Sequence, residues 1–417
     1  MKNFCKLGLA GILCGAMVSF TAPIFAQEAS PEASPEASTE ASTEASTEAS
    51  PLSGILKGLT VSGFVDVNYF YNFRRHSDSP QQNTLSPLNF VGENENNSFT
   101  FESFTLFLDK EATDDHPIGW QMHTYFGEKA KRITFLGELT TNDIDRNDIF
   151  TVATANVSWK APVGKGLTLT LGKMYTWIGA ELVENINNPN YQHGILYNNA
   201  IPFTHTGLKA GYDLTDKLYA AIYVVNGWDS FVDNNSAKSF GWYLSYTPTD
   251  KAFVSLAGIH GAEGWDAAAG DPIPDQRSSS TSGLTQMLDL VASYQLTDEL
   301  KLMFNADWGV AEDASMDIEN GVAKGTTGHW WGVAGYALYD FTDWFQGVVR
   351  YEYFDDTDGV RYFGQSVWET TVTANIKVRE NLLVRPEYRF NHYADHESIG
   401  LFSDDEHIVG IGVEYLF

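Results

Sequence analysis

The amino-acid sequence predicts an all-β fold, a transmembrane antiparallel up-and-down β-barrel of about sixteen strands. Sixteen segments of about nine to fifteen residues alternate apolar and small polar side chains, which is the period of a strand with two different faces. Short and long connections alternate between these segments. Segments of this length suit tilted strands that cross a bilayer better than the roughly five to six residues typical of soluble sheets.

Composition limits the classes of protein that the chain can belong to. Its 417 residues are 43% hydrophobic and 14% aromatic, which argues against a chain that is disordered throughout. The net charge of −28 argues against a nucleic-acid partner, because binding to phosphates needs clustered lysine and arginine.

Residues 1–26 are predicted to be a signal peptide. Lys2 and Lys6 precede an apolar run, 7–20, and the small residue Ala26 lies at a suitable cleavage point. The run is shorter than the roughly twenty residues of a membrane-spanning helix. Both cysteines, Cys5 and Cys14, would be lost with this peptide. The mature chain would then have no disulfide, thiolate metal site or cysteine nucleophile.

Residues 27–51 repeat a four-residue unit of glutamate, alanine, serine and proline or threonine. The repeat holds six glutamates, no basic residue and no large apolar side chain, so we expect a disordered acidic linker. A spacer that crosses the periplasm and an inert tether are both compatible with this composition. Residues 52–417 then form the barrel domain.

The alternation predicts which face of each strand is wet. In the fifth segment Leu167, Leu169 and Leu171 oppose Thr168 and Thr170. In a barrel with lipid outside, the polar set lines the lumen. The predicted strands are 59–73, 98–110, 118–128, 148–161, 166–174, 203–213, 217–226, 238–247, 251–260, 285–296, 299–311, 329–340, 343–354, 366–377, 381–390 and 407–417.

The connections predict two different rims. Seven of them are short, and four of these carry a Thr-Asp pair, beginning at Thr215, Thr249, Thr297 and Thr342, whose side-chain oxygens can bond the local backbone. Longer polar loops lie between them. Short turns on one rim and long loops on the other are typical of outer-membrane barrels. An even strand count places both chain ends on the short-turn rim.

The opening strand, 61–69 (VSGFVDVNY), the signal peptide, the sixteen alternating segments and the terminal Phe417 together resemble a Gram-negative outer-membrane porin. The opening is similar to that of the OmpL-like β-barrel porin family, and the resemblance covers 59–417. It implies passive diffusion of small hydrophilic solutes or ions. It also implies an outer-membrane location with the linker and short turns in the periplasm and the long loops outside. By analogy, it implies a homotrimer.

The last segment, 407–417, carries a further resemblance. Gly412, Tyr415 and Phe417 are spaced like the C-terminal signal that the barrel assembly machinery reads, although Gly410 stands where that pattern has a polar residue. The resemblance therefore implies that the assembly machinery is a partner. An ordinary terminal strand is the alternative interpretation.

The third long loop, 175–202, is the longest and carries Glu181 and Glu184 without any lysine or arginine. In sixteen-stranded porins the third loop folds into the lumen and narrows it, so the resemblance implies a pore constriction at these two glutamates. Carboxylates in a narrow, low-dielectric pore focus their field on a passing ion and favour cations.

The alternation also places charged residues on the inner face of the thirteenth to fifteenth segments. These candidates for lumenal charges are Arg350, Glu352, Glu369, Lys377, Arg385, Glu387 and Arg389. A basic row opposite the acidic third loop would set up a transverse field that orients solutes. The same residues could form ion pairs that only stabilise the wall. The sequence leaves both interpretations open.

No motif predicts an enzyme, a cofactor or a metal site. The acidic loop 355–359 lacks the further ligands that a calcium loop has at fixed spacing, and no phosphate-binding glycine loop or nucleophile elbow is present. The alternative to a pore is a surface barrel whose outer loops bind a partner or host molecule. A barrel hydrolase with dispersed catalytic residues is a third and weaker hypothesis.

Overall fold

A closed antiparallel barrel of sixteen strands forms the body of the protein. The computed structural model describes residues 58–73, 95–137, 149–233, 235–263, 283–317, 322–361, 364–394 and 404–417. The predicted signal peptide and linker lie outside these residues. Each of the sixteen predicted strands is present, and its ends fall within a few residues of the predicted ones. The predicted fold class is confirmed.

The strands follow one another around the barrel in chain order. β12 and β13 form a separate two-stranded ribbon that is not part of the barrel sheet. The barrel strands are β1 Leu59–Asn72, β2 Ser98–Lys110, β3 Ile118–Phe126, β4 Phe150–Ala161, β5 Leu167–Tyr175, β6 Thr204–Asp213, β7 Leu218–Val225, β8 Ser239–Thr249, β9 Ala252–Ala262, β10 Leu284–Gln295, β11 Leu300–Ala311, β14 Gly328–Thr342, β15 Phe345–Asp355, β16 Ser366–Arg379, β17 Leu382–Tyr393 and β18 Asp405–Leu416. The ribbon strands are β12 Met316–Asp317 and β13 Val322–Ala323.

The first and last strands close the barrel. β1 pairs antiparallel with β18, from Phe64 opposite Leu416 to Asn72 opposite Ile408. Gly63 and Phe417 exchange two backbone hydrogen bonds of 3.0 Å, and the Phe417 ring stacks on Phe104 with centroids 5.5 Å apart. Closure leaves no unpaired sheet edge, which is what a hydrocarbon environment requires.

The predicted alternation of faces is visible in the burial of each strand. On β11, Phe304 and Trp308 are exposed on the outside, while Asn305 and Asp307 between them are buried. On β18, Ile411 and Tyr415 face outward while Glu414 is buried on the inner face. Inward side chains are buried because the lumen is largely filled by a loop of the chain itself.

The short turns use the threonines as expected. In all four Thr-Asp turns the threonine hydroxyl accepts the backbone N–H two residues further along, as at Thr215 from Lys217 (3.2 Å) and at Thr342 from Trp344 (3.4 Å). On the same rim Lys165 pairs with Asp216 of a neighbouring turn. The hydrogen bond and charge of the Lys165 ammonium lower the pKa of the Asp216 carboxyl.

One helix was not predicted. The predicted strand 118–128 ends early at Phe126, and α1 (Glu128–Gly137) begins two residues later. Gly127 between them has a φ of 114°, which favours glycine and turns the chain out of the sheet. No helix within the described ranges is long and apolar enough to cross a membrane.

Candidate functional site

The third long loop, residues 176–203 between β5 and β6, lies inside the barrel. Most of its side chains are buried, and its regular structure is limited to a 3₁₀ turn, Asn185–Asn187, and a π-helical turn, Leu196–Ala200. An irregular segment has many backbone groups without partners in secondary structure, so their partners must come from elsewhere. The inner faces of the strands supply them.

Arginines on β15 and β17 hold one flank of the loop. Arg350 donates to Glu181 of the loop (2.6 Å) and to Glu369 of β16 (2.7 Å). Arg389 pairs with Glu369 (3.1 Å) and donates to the backbone carbonyl of His193 in the loop (2.9 Å). All four charged side chains are almost completely buried, so each charge depends on the others.

Arg385 of β17 binds the loop mainly through its carbonyls. Its guanidinium donates to the backbone oxygens of Asn185 (2.7 Å), Asn188 (2.7 Å) and Pro189 (3.0 Å). It also lies 3.4 Å from Glu414 of β18. Since a guanidinium carries five donors in one plane, a single arginine can satisfy several carbonyls of an irregular segment.

Glutamates on the same wall bind the loop's N–H groups. Glu387 accepts from the backbone of Tyr191 (2.7 Å) and Gln192 (3.0 Å), and Glu352 accepts from Ile195 (2.5 Å). The wall therefore binds the backbone of the loop: its arginines donate hydrogen bonds to the loop's carbonyls, and its glutamates accept hydrogen bonds from the loop's N–H groups. We call this face of β14–β18, with its buried arginines and glutamates, the arginine flank.

Tyr191 anchors the loop where the barrel closes. Its hydroxyl donates to Asp66 of β1 (2.7 Å) and accepts from Asn68 (3.0 Å), and its ring stacks on Phe70 at 5.4 Å. A Cβ added to Gly412 would overlap this ring. Gly412, a residue of the suggested assembly signal, thus also provides the space in which the loop docks.

The predicted lumenal charges divide into two groups. Those on the arginine flank come together with the third loop and are buried: Arg350, Glu352, Glu369, Arg385, Glu387 and Arg389. Lys377 lies on the same side of β16 but near the short-turn rim, where it is partly exposed and opposite Leu383. In this geometry the six buried residues form ion pairs and hydrogen bonds with one another and with the loop.

The two loop glutamates occupy different environments. Glu181 lies on the arginine flank, where it binds Arg350, the hydroxyl of Tyr336 (3.0 Å) and the backbone of Gly194 (2.7 Å). Glu184 points to the other side of the barrel and accepts from the hydroxyl of Tyr125 on β3 (2.9 Å). The sequence did not distinguish these two residues.

On that other side, a cavity of about 680 Å³ separates the loop from the inner face of β2–β7. Its lining reaches Gly58, Glu111 and Gly166, so it opens at the short-turn rim. Its inner end is formed by the third loop, including Glu184. We call this side the cavity flank.

The wall of the cavity flank is polar and carries few ion pairs. Asp109 accepts from Gln121 (2.9 Å) and lies 3.1 Å from His123, and the hydroxyls of Ser158 and Thr170 are 2.9 Å apart. The charged residues that line the cavity are four carboxylates, Asp109, Glu111, Glu184 and Asp213, and two lysines, Lys110 and Lys209. Such a surface can hydrate a solute and carries an excess of negative charge.

Two buried carboxylates beneath the loop were not among the site residues predicted from the sequence. Asp289 of β10 and Asp307 of β11 are directly opposite each other. Asn305 donates to Asp289 (2.7 Å) and accepts from the backbone of Ala180 in the loop (3.3 Å). The pairing of Asp289 with Asp307 across strands could not be read from the sequence. Within the described ranges, no three histidine, cysteine, aspartate or glutamate side chains converge as a metal site would require.

A closed sixteen-stranded barrel with a polar lumen and a third loop folded into it is the architecture of an outer-membrane porin. The chain belongs to the family described as "Putative beta-barrel porin-2, OmpL-like", whose model matches residues 58–413. No curated protein matches the chain at a significant level.

Solved porins share the fold at low sequence identity. OmpF of Salmonella typhi in complex with daunomycin is 12% identical with a TM-score of 0.56, covering 86% of this chain and 97% of that one. A high-pH structure of OprB from Pseudomonas putida is 11% identical, with a TM-score of 0.56 and coverage of 88% and 96%. The outer-membrane channel DcaP of Acinetobacter baumannii is 12% identical, with a TM-score of 0.54 and coverage of 86% and 97%. At this identity the likeness shows the fold alone.

Proposed function

We propose that the protein is a passive channel for small hydrophilic solutes or ions across the bacterial outer membrane. The observation that carries the proposal is the polar cavity of about 680 Å³ on the cavity flank, which opens at one rim and is bounded by the third loop at its other end. A barrel that served only to display loops would not need a hydrated interior of this size.

We further propose that the channel prefers cations. The carboxylates that line the cavity outnumber the lysines, four to two, and no arginine is among the lining residues. Charges on the wall of a narrow, low-dielectric passage act strongly on an ion in transit. A passing cation would therefore meet a lower barrier than an anion of the same size.

In this proposal the third loop constricts the pore asymmetrically. Its contacts with Arg350, Arg385 and Arg389 hold it against β15–β17, so that the free cross-section lies along β2–β7. Glu184 is then the pore-constriction residue, while Glu181 keeps the loop in place through its ion pair with Arg350.

The porin architecture supports a proposal for the orientation and the partners. We propose that the short turns and the linker 27–51 lie in the periplasm and the long loops outside, that the assembly machinery reads Gly412, Tyr415 and Phe417, and that three copies associate. Lipid contacts the exposed apolar face of the wall, as at Leu171, Phe304 and Val372.

Conductance of the purified protein in a planar lipid bilayer tests the proposal. We expect stable ohmic current steps, and a reversal potential in a salt gradient that corresponds to cation preference. A folded barrel that gives no steps in the wild type or in pore-widening variants would contradict a channel. That result would favour the alternative, a barrel whose outer loops bind a partner. A reversal potential of the opposite sign would refute the cation preference alone.

A further inference from the structure

We infer that Tyr125 of β3, Tyr175 of β5 and Glu184 of the third loop form a gate at the inner end of the cavity, with helix α1 as its outer cover. The inference rests on the proposed channel and goes beyond it, because it places the route of permeation on the cavity flank and names the residues that open and close it.

The three side chains meet in one hydrogen-bonded group. The hydroxyl of Tyr125 lies 2.9 Å from Oε1 of Glu184, to which it donates, and 2.9 Å from the hydroxyl of Tyr175. Tyr175 and Glu184 line the cavity, whereas Tyr125 lies behind them and is fully buried. The group therefore forms the boundary at which the cavity stops.

Helix α1 covers the far side of this group. Ala130 and Ile133 of the helix are buried, and the helix packs against β2, β3 and β4. Lys129 is also buried, and its ammonium donates to the side chain of Asn185, the residue after Glu184 in the third loop. The helix thus links the barrel wall to the part of the loop that carries Glu184.

The contacts on the two flanks of the loop differ in kind. At the gate, the contacts that close the route are hydrogen bonds from phenol groups, together with one lysine that reaches an amide. On the arginine flank, Glu181 binds Tyr336 in a similar way but is also paired with the guanidinium of Arg350. A phenol that donates to a carboxylate makes one charge-assisted bond, whereas the Arg350–Glu181 pair adds the attraction between opposite charges, which is strong in a low-dielectric interior. When the loop moves, we therefore expect the cavity side to separate first.

Opening of the gate would also make the Glu184 carboxylate accessible to a solute. Once Tyr125 and Tyr175 turn away, the carboxylate of Glu184 loses its phenol donor and is free to bind a passing ion. The class of solute that this position favours is a small hydrated cation or a cationic organic molecule. The gate is thus both the barrier to passage and the point of selection.

Single-channel recording of Tyr125→Phe tests the gate. The substitution keeps the ring and removes both hydrogen bonds, so we expect a several-fold rise in open probability. Tyr336→Phe is the matched control, because it removes the corresponding hydrogen bond to Glu181 on the arginine flank and should leave open probability unchanged. Tyr125→Ala should in addition raise the conductance of each step. Equal behaviour of Tyr125→Phe, Tyr336→Phe and wild type would overturn the inference.

The outcomes separate this inference from the proposed function. Folding of each variant is checked by its heat-dependent shift on gel electrophoresis, so that a silent variant is not mistaken for an unfolded one. If folded wild type and all variants remain silent, the channel itself is refuted. If wild type conducts and Tyr125→Ala does not change the current, the channel stands and the gate is refuted. A silent wild type with a conducting Tyr125→Ala would support both.

Discussion

The two flanks of the third loop have opposite physical characters. On the arginine flank, buried guanidinium and carboxylate groups of the wall bind the loop's backbone at seven of the eleven residues from Asn185 to Ile195. On the cavity flank, the loop faces an open polar space, and the hydroxyl of Tyr125 and the ammonium of Lys129 bind it at Glu184 and Asn185. The difference shows how one irregular segment can be bound closely along one side and still leave a cavity along the other.

Glu181 and Glu184 show the same difference between the two flanks within one short stretch of chain. Both are glutamates of the third loop and both are buried. Glu181 has a charged partner in Arg350, so its carboxylate holds the loop against β15. Glu184 has a phenol donor and borders the cavity, so its carboxylate lies beside the open space.

The seam where the two flanks meet should be the most sensitive place. Phe417→Asp or Tyr415→Asp should reduce the amount of assembled barrel severely, because each removes an aromatic group of the suggested assembly signal. Protease-resistant, heat-modifiable barrel in outer-membrane fractions is the quantity to measure. Phe341→Asp is the control, since Phe341 is an exposed aromatic residue at the same rim (58% against 51% for Phe417) but outside the signal. If Phe341→Asp lost as much assembled barrel as Phe417→Asp, the effect would be due to lost lipid contact and not to the assembly signal.

Removing Arg350 should be the most damaging single change within the arginine flank. Arg350→Ala leaves Glu181, Glu352 and Glu369 buried without their shared cation. Breaking a buried pair in this way costs about 3–5 kcal/mol. Denaturant unfolding of the purified barrel in detergent measures this loss. Lys160→Ala is the control on the cavity flank, because its partner Asp114 is exposed and such surface pairs contribute about 0–1 kcal/mol.

Docking of the loop at the seam should depend on the absence of a side chain at Gly412. Gly412→Ala would overlap the Tyr191 ring and displace it, at a cost of about 1–3 kcal/mol. Gly335→Ala serves for comparison, since a Cβ there meets nothing within 4 Å. Thermal unfolding followed by circular dichroism should separate the two variants. If Gly412→Ala is as stable as Gly335→Ala but assembles poorly in cells, Gly412 acts in the assembly signal instead of in packing.

Charge selectivity should depend on one loop glutamate and not on the other. Glu184→Gln should shift the reversal potential in a salt gradient toward zero, because it removes a carboxylate next to the route. Glu181→Gln should lower stability and leave the reversal potential unchanged. Recordings of both variants under the same gradient provide the comparison. A shift in Glu181→Gln alone would place the route on the arginine flank.

Much of the fold could be predicted because its signals are local. The alternation along Leu167–Leu171 or Leu300–Val310 follows from the two faces of each strand, and the Thr-Asp pairs mark turns within a few residues. Helix α1 was not predicted because the chain leaves the sheet at Gly127, where φ is positive. The alternating residues before Gly127 gave no sign of this change. The alternation of side chains also predicted that Arg350, Arg385 and Arg389 point into the lumen. That prediction requires only the pattern along one strand at a time.

The partners of those residues could not be predicted in the same way. Arg385 binds carbonyls that lie nearly two hundred positions away in the chain, and Tyr191 meets Asp66 across the lumen. Such contacts depend on where an irregular loop comes to rest, and no periodic pattern encodes that position. For the same reason the sequence treated Glu181 and Glu184 as equivalent.

The number of strands, their lipid and lumen faces and the two unequal rims could be derived from the sequence, because a period of two and the chemistry of turns are properties of neighbouring residues. The binding of the third loop to β14–β18, which leaves the free space along β2–β7, is apparent from the three-dimensional fold alone. That choice depends on how buried guanidinium and carboxylate groups from distant strands satisfy one another and the loop's backbone. The asymmetry of the lumen is a consequence of that pairing.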